Sequence, residues 1–153
     1  MKKYILSLGA LFFFAISYAQ ISEGDDGRYY ADNNMLYSGI YQEYFNNGNL
    51  KMEMNIKNGQ TNGLTKIYHN NGEIKEIRSY IAGKFHGTWK SFNEKGSKLA
   101  EANYNSNKKD GKWYIWDENG VLRYEMEYKM GEKTGTWKQF DLHGKLLKEK
   151  KYH

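Results

Sequence analysis

The chain has 153 residues and no cysteine, a length that suits one domain and a composition that excludes disulfides and thiolate metal sites. Aliphatic side chains are scarce, since the mean hydropathy is −0.90, whereas 16% of the residues are aromatic, and such rings suit a half-buried pleated surface better than a thick core. The net charge of +5 is mild and is spread along the chain, so nucleic-acid binding is not expected.

Residues 1–19 have the three-part layout of a secretory signal peptide. A basic start at Lys2 and Lys3 precedes an apolar run over 4–16, and the small residues Ser17 and Ala19 stand three and one positions before the expected cut. The apolar run is shorter than the roughly 20 residues that a helix needs to cross a bilayer, which favours a cleaved signal over a retained anchor. We therefore predict cleavage after Ala19, a mature chain without a transmembrane segment, and a periplasmic or extracellular location.

Residues 20–37 precede the first complete repeat and have the pattern of an irregular hairpin. Two short runs rich in aromatic or apolar residues, 28–30 and 35–37, flank residues 32–34, which are one aspartate and two asparagines. Aspartate and asparagine favour turns because their side chains bond nearby backbone groups. We predict that this segment forms a hairpin that caps one end of the repeats.

Residues 38–153 contain five units that recur every 24 residues, the kind of spacing that marks a repeat architecture. Two glycine columns share this spacing without a break. The first column is Gly39, Gly63, Gly87, Gly111 and Gly135, and the second is Gly48, Gly72, Gly96, Gly120 and Gly144. Aromatic residues recur two, five and seventeen positions after the first glycine of most units.

Each unit has the pattern of one β-hairpin. A short strand leads into a polar turn that ends in glycine, often as Asn-Gly, the strongest short hairpin signal. The second strand then alternates, as Leu122, Tyr124 and Met126 do with the charged residues between them. Strands joined only by tight turns pair with their neighbours. The sequence thus predicts an all-β, elongated antiparallel meander of five 24-residue hairpins.

One spacing leaves two arrangements open. The aromatic residues two and five positions after the first glycine are three residues apart, whereas one face of a regular strand repeats every two residues. Either a bulge intervenes, or rings lie on both faces of a twisted sheet.

The pattern Gly-x-Trp-x-x-Phe, then Asn-Gly, then Leu-x-x-Glu-x-x-Tyr, then Lys-x-Gly resembles the MORN repeat variant of bacterial proteins, a group that includes the YwqK-type antitoxins. The resemblance covers residues 38–153 and extends weakly to Tyr29, and Thr65, Ile77 and Lys98 depart from it. It implies a hairpin ribbon used for binding, without catalytic residues, and a role in neutralising a toxin. Combined with export, it implies a toxin of the envelope or the secreted fraction.

The acidic and histidine residues do not converge on a catalytic or metal site. The four histidines fall in different columns of the repeat, so a metal triad is not expected. Glu101 and Glu125 share a column two strands apart, but basic neighbours favour cross-strand ion pairs over an acid–base pair. Those neighbours are Lys51, Lys75 and Arg123. We therefore predict no catalytic residue, no metal site, no cofactor and no enzyme activity.

Trp89, Trp113 and Trp137 share one column with Tyr41 and are the candidate partner-binding residues. These rings are either the hydrophobic layer of the sheet itself or a flat platform on its surface. The leading interpretation is an exported, non-enzymatic binding or scaffold protein that engages a protein, either a toxin or an envelope component. The alternative is an envelope or extracellular module that binds glycans with the aromatic column.

Overall fold

The computed structural model describes residues 21–32 and 34–153, which fold into strands joined by tight turns. The predicted signal peptide, its cleavage site and Asn33 lie outside the described residues. In the described part of the chain, no helix is long and apolar enough to cross a membrane. The strands are β1 (Ser22–Glu23), β2 (Tyr29–Tyr30), β3 (Gly39–Tyr44), β4 (Leu50–Lys57), β5 (Gln60–Tyr68), β6 (Ile74–Ile81), β7 (Lys84–Phe85), β8 (Gly87–Phe92), β9 (Lys98–Asn105), β10 (Lys108–Lys109), β11 (Gly111–Trp116), β12 (Leu122–Lys129), β13 (Glu132–Phe140) and β14 (Leu146–Tyr152).

The main sheet is an antiparallel meander. Its long strands lie side by side in chain order from β3 to β14, while the two-residue β7 and β10 pair with β6 and β9 and lead into β8 and β11. Each unit contributes one hairpin, such as β11 with β12, and consecutive hairpins pair through strands such as β12 and β13. The predicted all-β meander of five hairpin repeats is confirmed.

The turn within each hairpin forms for the reason that the sequence indicates. In the fourth unit the Asp117 carboxylate accepts hydrogen bonds from the backbone N–H groups of Asn119 and Val121, at 3.0 and 3.1 Å. Gly120 closes the turn with φ +80°, a conformation that costs L-residues with side chains steric energy. Asn107 replaces glycine in the third turn between units and also has positive φ, at +70°. Asparagine tolerates this region better than most residues do.

The structure answers the question that the aromatic spacing left open. The register shifts by one residue in each hairpin, as between Ile115 and Trp116, where Arg123 of the partner strand is skipped. The first strand stays regular, so Trp113 and Trp116 lie on opposite faces of the sheet. Both arrangements therefore occur together: a bulge in the second strand and rings on both faces.

The junctions between units depend on a second irregularity, at the first glycine. Gly111 has φ +92° and lies against Asn103 of the preceding hairpin. A Cβ atom at position 111 would lie 3.5 Å from the Asn103 side chain. The Asn103 side chain donates a hydrogen bond to the carbonyl of Lys112 at 2.7 Å and accepts one from the Thr88 hydroxyl at 2.8 Å. Asn103 thus bridges the break in backbone pairing between β9 and β11.

The sheet is one layer thick. Among the described residues, only Met54, Ile56 and Ala102 are buried apolar side chains. We name the two surfaces by their residues. The charged face carries the glutamate column that contains Glu101 and Glu125. The ladder face carries the column of Trp113 and four tyrosines of the second strands, which are Tyr80, Tyr104, Tyr128 and Tyr152.

Residues 21–32 and 34–37 pack against the first unit. β1 pairs with β2, and Tyr30 bridges to Leu36. The backbone N–H of Tyr29 donates to the carbonyl of Gly59 at 2.9 Å, and that of Tyr37 donates to the carbonyl of Tyr29 at 2.9 Å. This segment therefore lies beside the start of β3, where a preceding unit would otherwise lie.

Candidate binding face

The three candidate tryptophans lie in one ladder of rings that crosses the sheet. Tyrosines of the second strands alternate with tryptophans of the first strands, and Phe85 joins them at one end. Neighbouring ring centroids are 4.9 to 5.9 Å apart, a separation typical of favourable aromatic pairs. The order of the rings is Tyr80, Phe85, Trp89, Tyr104, Trp113, Tyr128, Trp137 and Tyr152.

Tyr41, the fourth candidate, lies on the same face but outside this ladder. Thr65 occupies the tryptophan position of the second unit and is 3% exposed, so no ring joins Tyr41 to Trp89 within the described residues. The ring of Tyr41 instead packs against Tyr29 of the N-terminal segment at 5.6 Å. The structure thus groups three of the four candidates and separates the fourth.

Trp113 and Trp137 each lie between two tyrosine rings. Trp113 has Tyr104 on one side at 5.2 Å and Tyr128 on the other at 5.3 Å. Its indole N–H donates to the carbonyl of Asn103 at 3.0 Å, and Trp137 donates in the same way to Glu127 at 2.9 Å. The rings are half-buried. This geometry favours the interpretation that the column is a structural layer over one that leaves whole ring faces free for stacking.

Cations lie over the ladder, which the repeat pattern did not reveal. The Arg78 guanidinium carbon is 4.8 Å from the ring centroid of Trp89, and the Lys109 ammonium is 4.3 Å from that of Trp113. Lys133 and Lys150 lie over rings at the other end, including Tyr152 at 5.4 and 4.9 Å. Such contacts are favourable because the ring face is electron-rich. The sequence contains a signal for two of them, since Lys109 and Lys133 each precede a tryptophan by four residues.

The cations differ in how they are neutralised. Arg78 hydrogen-bonds Glu76 through its Nε at 2.7 Å. Burial alone would lower the pKa of Arg78, but hydrogen bonds to Glu76 and Tyr80 outweigh it and raise that pKa. Lys109, Lys133 and Lys150 make no ion pair with any carboxylate of the described residues. The ladder face therefore carries uncompensated positive charge toward its C-terminal end.

A shallow groove of about 240 Å³ opens between Trp89 and Trp113. Its floor contains Ala102, which takes the position that Met54 and Met126 fill in other units. The smaller side chain leaves the gap. The groove is lined by Glu76, Trp89, Ser91, Ala100, Ala102, Tyr104 and Trp113. This site also escaped the sequence analysis, although comparison of the column that contains Met54, Arg78, Ala102, Met126 and Lys150 would have revealed the small residue.

Trp89 differs from the other two tryptophans at this groove. Its ring stacks on Phe85 with an interplanar angle of 2°, and its buried indole N–H has no hydrogen-bond partner within residues 21–32 and 34–153. A buried donor without a partner costs free energy. Trp89 thus lacks the indole hydrogen bond that Trp113 and Trp137 make.

The charged face carries ion pairs, and the predicted cross-strand pairing is confirmed for Glu125 but is wrong for Glu101, whose partner lies in its own strand. Glu101 pairs with Lys98 at 2.9 Å, and Glu125 lies between Lys112 at 3.6 Å and Lys138 at 3.7 Å. The expected partners were wrong. Lys51 instead pairs with Glu43, and Arg123 with Asp117, because each of these cations occupies the bulge position of its strand. Half-exposed pairs of this kind add little stability.

A hydrogen bond to Glu127 is the main reason why the pKa of Lys112 is raised. No cluster of three or more histidine, aspartate or glutamate side chains suited to a metal ion occurs in the part of the chain that the structure describes.

A family model for the MORN repeat variant matches five segments, residues 37–58, 61–82, 85–106, 109–130 and 133–153. Each segment begins two residues before a first glycine and contains both strands of one hairpin, so the family pattern and the observed units coincide. Together the segments make up well over half of the chain. No curated protein matches the chain.

Proposed function

The chain belongs to the MORN repeat variant family, whose repeats commonly bind proteins or membranes, and on this premise we propose that it is an exported, non-enzymatic binding or scaffold protein. It engages a protein partner through the ladder face. The single observation that carries this proposal is the continuous ladder from Tyr80 to Tyr152 on an open sheet face, with cations over its rings.

The chemistry of the ladder face supports a protein as the partner. The cores of protein interfaces are enriched in tyrosine, tryptophan, methionine and arginine, and Met126 and Arg78 stand among the rings of this face. The groove above Ala102 has a volume of about 240 Å³ and is lined mostly by apolar atoms. A protein with exposed apolar and acidic side chains would meet both the groove and the uncompensated lysines.

The glycan alternative has less support. A sugar that stacks on an aromatic platform needs one free ring face, whereas Trp113 has tyrosines on both sides and Lys109 over its ring. Trp137 is flanked in the same way. We therefore place the protein partner first.

Export narrows the partner to proteins outside the cytoplasm. If the chain is cleaved after Ala19, its partner is an envelope component or a secreted toxin. Neutralisation of such a toxin, which the resemblance to YwqK-type antitoxins implies, is the specific form of this proposal. Intact mass of the exported chain tests the location, and a chain that retains Met1 would contradict it.

A retention assay with matched variants tests the binding face. The exported chain is immobilised and exposed to envelope and secreted proteins of the source cells. Ala102→Met fills the groove with the residue that the first and fourth units carry at this position, so the fold should persist while partner retention falls. Lys90→Gln, on the charged face of the same hairpin, should leave retention unchanged. Specific retention by none of the three proteins, or equal retention by all of them, would contradict the proposal.

A further inference from the structure

The two edges of the main sheet are finished differently. At the β3 edge, the ring of Tyr29 packs against Tyr41 at 5.6 Å, and the Tyr29 carbonyl accepts the backbone N–H of Tyr37, two residues before the strand, at 2.9 Å. At the other edge, β14 pairs with β13 and, among the described residues, with no further strand. Six of the seven residues of β14 are exposed.

β14 has the features of an unfinished junction. Each other second strand, such as β12, is followed in the sheet by the first strand of the next unit. Tyr128 of β12 packs between Trp113 and Trp137, whereas Tyr152 of β14 has a ring neighbour on one side, Trp137, within the described part of the chain. An edge with unpaired backbone groups is a template for another strand.

The interior junctions show which residues such a strand would present. Where β4 pairs with β5, Met52, Glu53 and Met54 lie opposite Ile67, Lys66 and Thr65. The corresponding positions of β14 are Lys148, Glu149 and Lys150. The residue opposite Lys150 thus falls in the tryptophan column, next to Tyr152, and the residue opposite Lys148 follows two positions later. Opposite charges across a strand pair are stabilising.

We propose that the open edge of β14 accepts an extended segment of a partner protein as an added antiparallel strand. The segment carries an aromatic residue opposite Lys150 and an acidic residue two positions later, opposite Lys148. Backbone hydrogen bonds supply affinity in this mode of recognition, and alternate side chains supply specificity. The inference rests on the proposed function of protein binding and names the place and chemistry of one partner segment.

A second copy of the chain is disfavoured as the occupant. Tyr41, Gln42 and Glu43 of β3 have the required order, but the ring of Tyr41 already packs against Tyr29 of the same copy. Pairing of two β14 strands brings lysines from both copies together, and like charges across a strand pair are destabilising. A free peptide with the sequence of β3, which lacks Tyr29, nevertheless provides a probe for the β14 edge.

The test uses a fluorescent synthetic peptide with the sequence of residues 37–45, titrated with the full exported chain. We expect saturable binding, weakened about fivefold by Lys148→Glu, the factor that corresponds to loss of about 1 kcal/mol. A peptide with Glu43→Lys should bind the Lys148→Glu variant more tightly than the original peptide does. Lys145→Glu, the same charge change in the turn of that hairpin, should leave the affinity of the original peptide unchanged.

Three outcomes would overturn the inference. They are absence of saturable binding, equal weakening by Lys145→Glu, and failure of the exchanged charges to restore affinity. Sedimentation of the chain as an oligomer at the titration concentration would assign the edge to a second copy and would also overturn it. Partner retention on the ladder face is a separate readout. If retention remains sensitive to Ala102→Met while the peptide does not bind, strand addition fails and the proposed function stands.

Discussion

Tyr29 packs against Tyr41 with ring centroids 5.6 Å apart, much as Tyr104 packs against Trp113 at 5.2 Å. The N-terminal segment thus places a tyrosine where a preceding unit would place one. Arrays of repeats expose an apolar surface at each end unless a capping segment covers it. We propose that Tyr29 performs this role at one end of the sheet, and the contrast with β14 at the other end motivates the strand-addition proposal.

Tyr29 should report cap release in alkaline solution. Its pKa is raised from its usual value to about 12, first by burial and then by the negative charge of Glu23. A raised pKa means that the folded state favours the neutral hydroxyl. Its contribution to stability is therefore complete below the unfolded-state pKa of about 10 and is lost as pH rises through about 12. Tyrosinate absorbance should show a late-titrating component that Tyr29→Phe removes. Persistence of that component in the variant would contradict the assignment.

Trp113→Ala should destabilise the fold more than Trp116→Ala. Trp113 lies between two tyrosines and donates a hydrogen bond to Asn103, so its loss should cost about 3 kcal/mol, near the low end for aromatic truncation because the ring is half-buried. Trp116 lies on the opposite face and packs on Tyr114, and its loss should cost about 1–2 kcal/mol. Urea unfolding of both variants measures the difference. Equal losses would mean that the ladder is not the principal structural layer.

Gly120→Val should destabilise more than Asn107→Gly. Space exists for a side chain at Gly120, with nothing within 4 Å of a built Cβ, so the cost of about 2 kcal/mol comes from its positive φ. The Asn107 side chain accepts a hydrogen bond from the backbone N–H of Phe85 at 2.7 Å. From sequence alone this replacement is expected to be neutral, but the lost bond should cost about 0.5–1 kcal/mol. Thermal melts rank the two variants, and the reverse order would contradict the turn geometry.

Asn103→Ala should cost about 1–3 kcal/mol, because it leaves the carbonyl of Lys112 without its side-chain donor. Asn105→Ala is the matched control, since the Asn105 amide makes only a 3.9 Å contact with the Met130 sulfur and a 3.3 Å bond with Ser106. Chemical denaturation with both variants tests this. A control loss as large as that of Asn103 would show that the bridge between β9 and β11 contributes no special stability.

The hairpins are predictable from the sequence because their causes are local. Gly120 predicts a residue with positive φ, and Asp117 accepts hydrogen bonds from backbone N–H groups of its own turn. The alternation of apolar and charged residues along β12 predicts which side chains share a face of the sheet. The bulge cannot be predicted from local sequence, because Arg123 resembles any other strand residue. Only the pairing of β12 with β11 shows that no residue of β11 lies opposite Arg123.

The ladder is predictable in part. The tryptophan column is visible in the sequence, but the break at Thr65 separates Tyr41 from it, and the cations come from different columns. Lys109 precedes its tryptophan by four residues, whereas Arg78 lies on the neighbouring strand. The register that brings both over rings follows from pairing between units. The groove above Ala102 likewise depends on which side chains surround a small residue.

The most direct test of the central claim is photo-crosslinking from the two faces of one strand. Ser91 lines the groove of the ladder face, and Lys90 lies next to it in β8, opposite Glu101 of the charged face. A photoreactive amino acid at position 91 should form an adduct with one protein, identified by mass spectrometry, that excess unlabelled chain abolishes and Ala102→Met weakens. The same group at position 90 should form little of this adduct. Equal yields from both positions, or a protein adduct from position 90 alone, would contradict the assignment of partner binding to the ladder face.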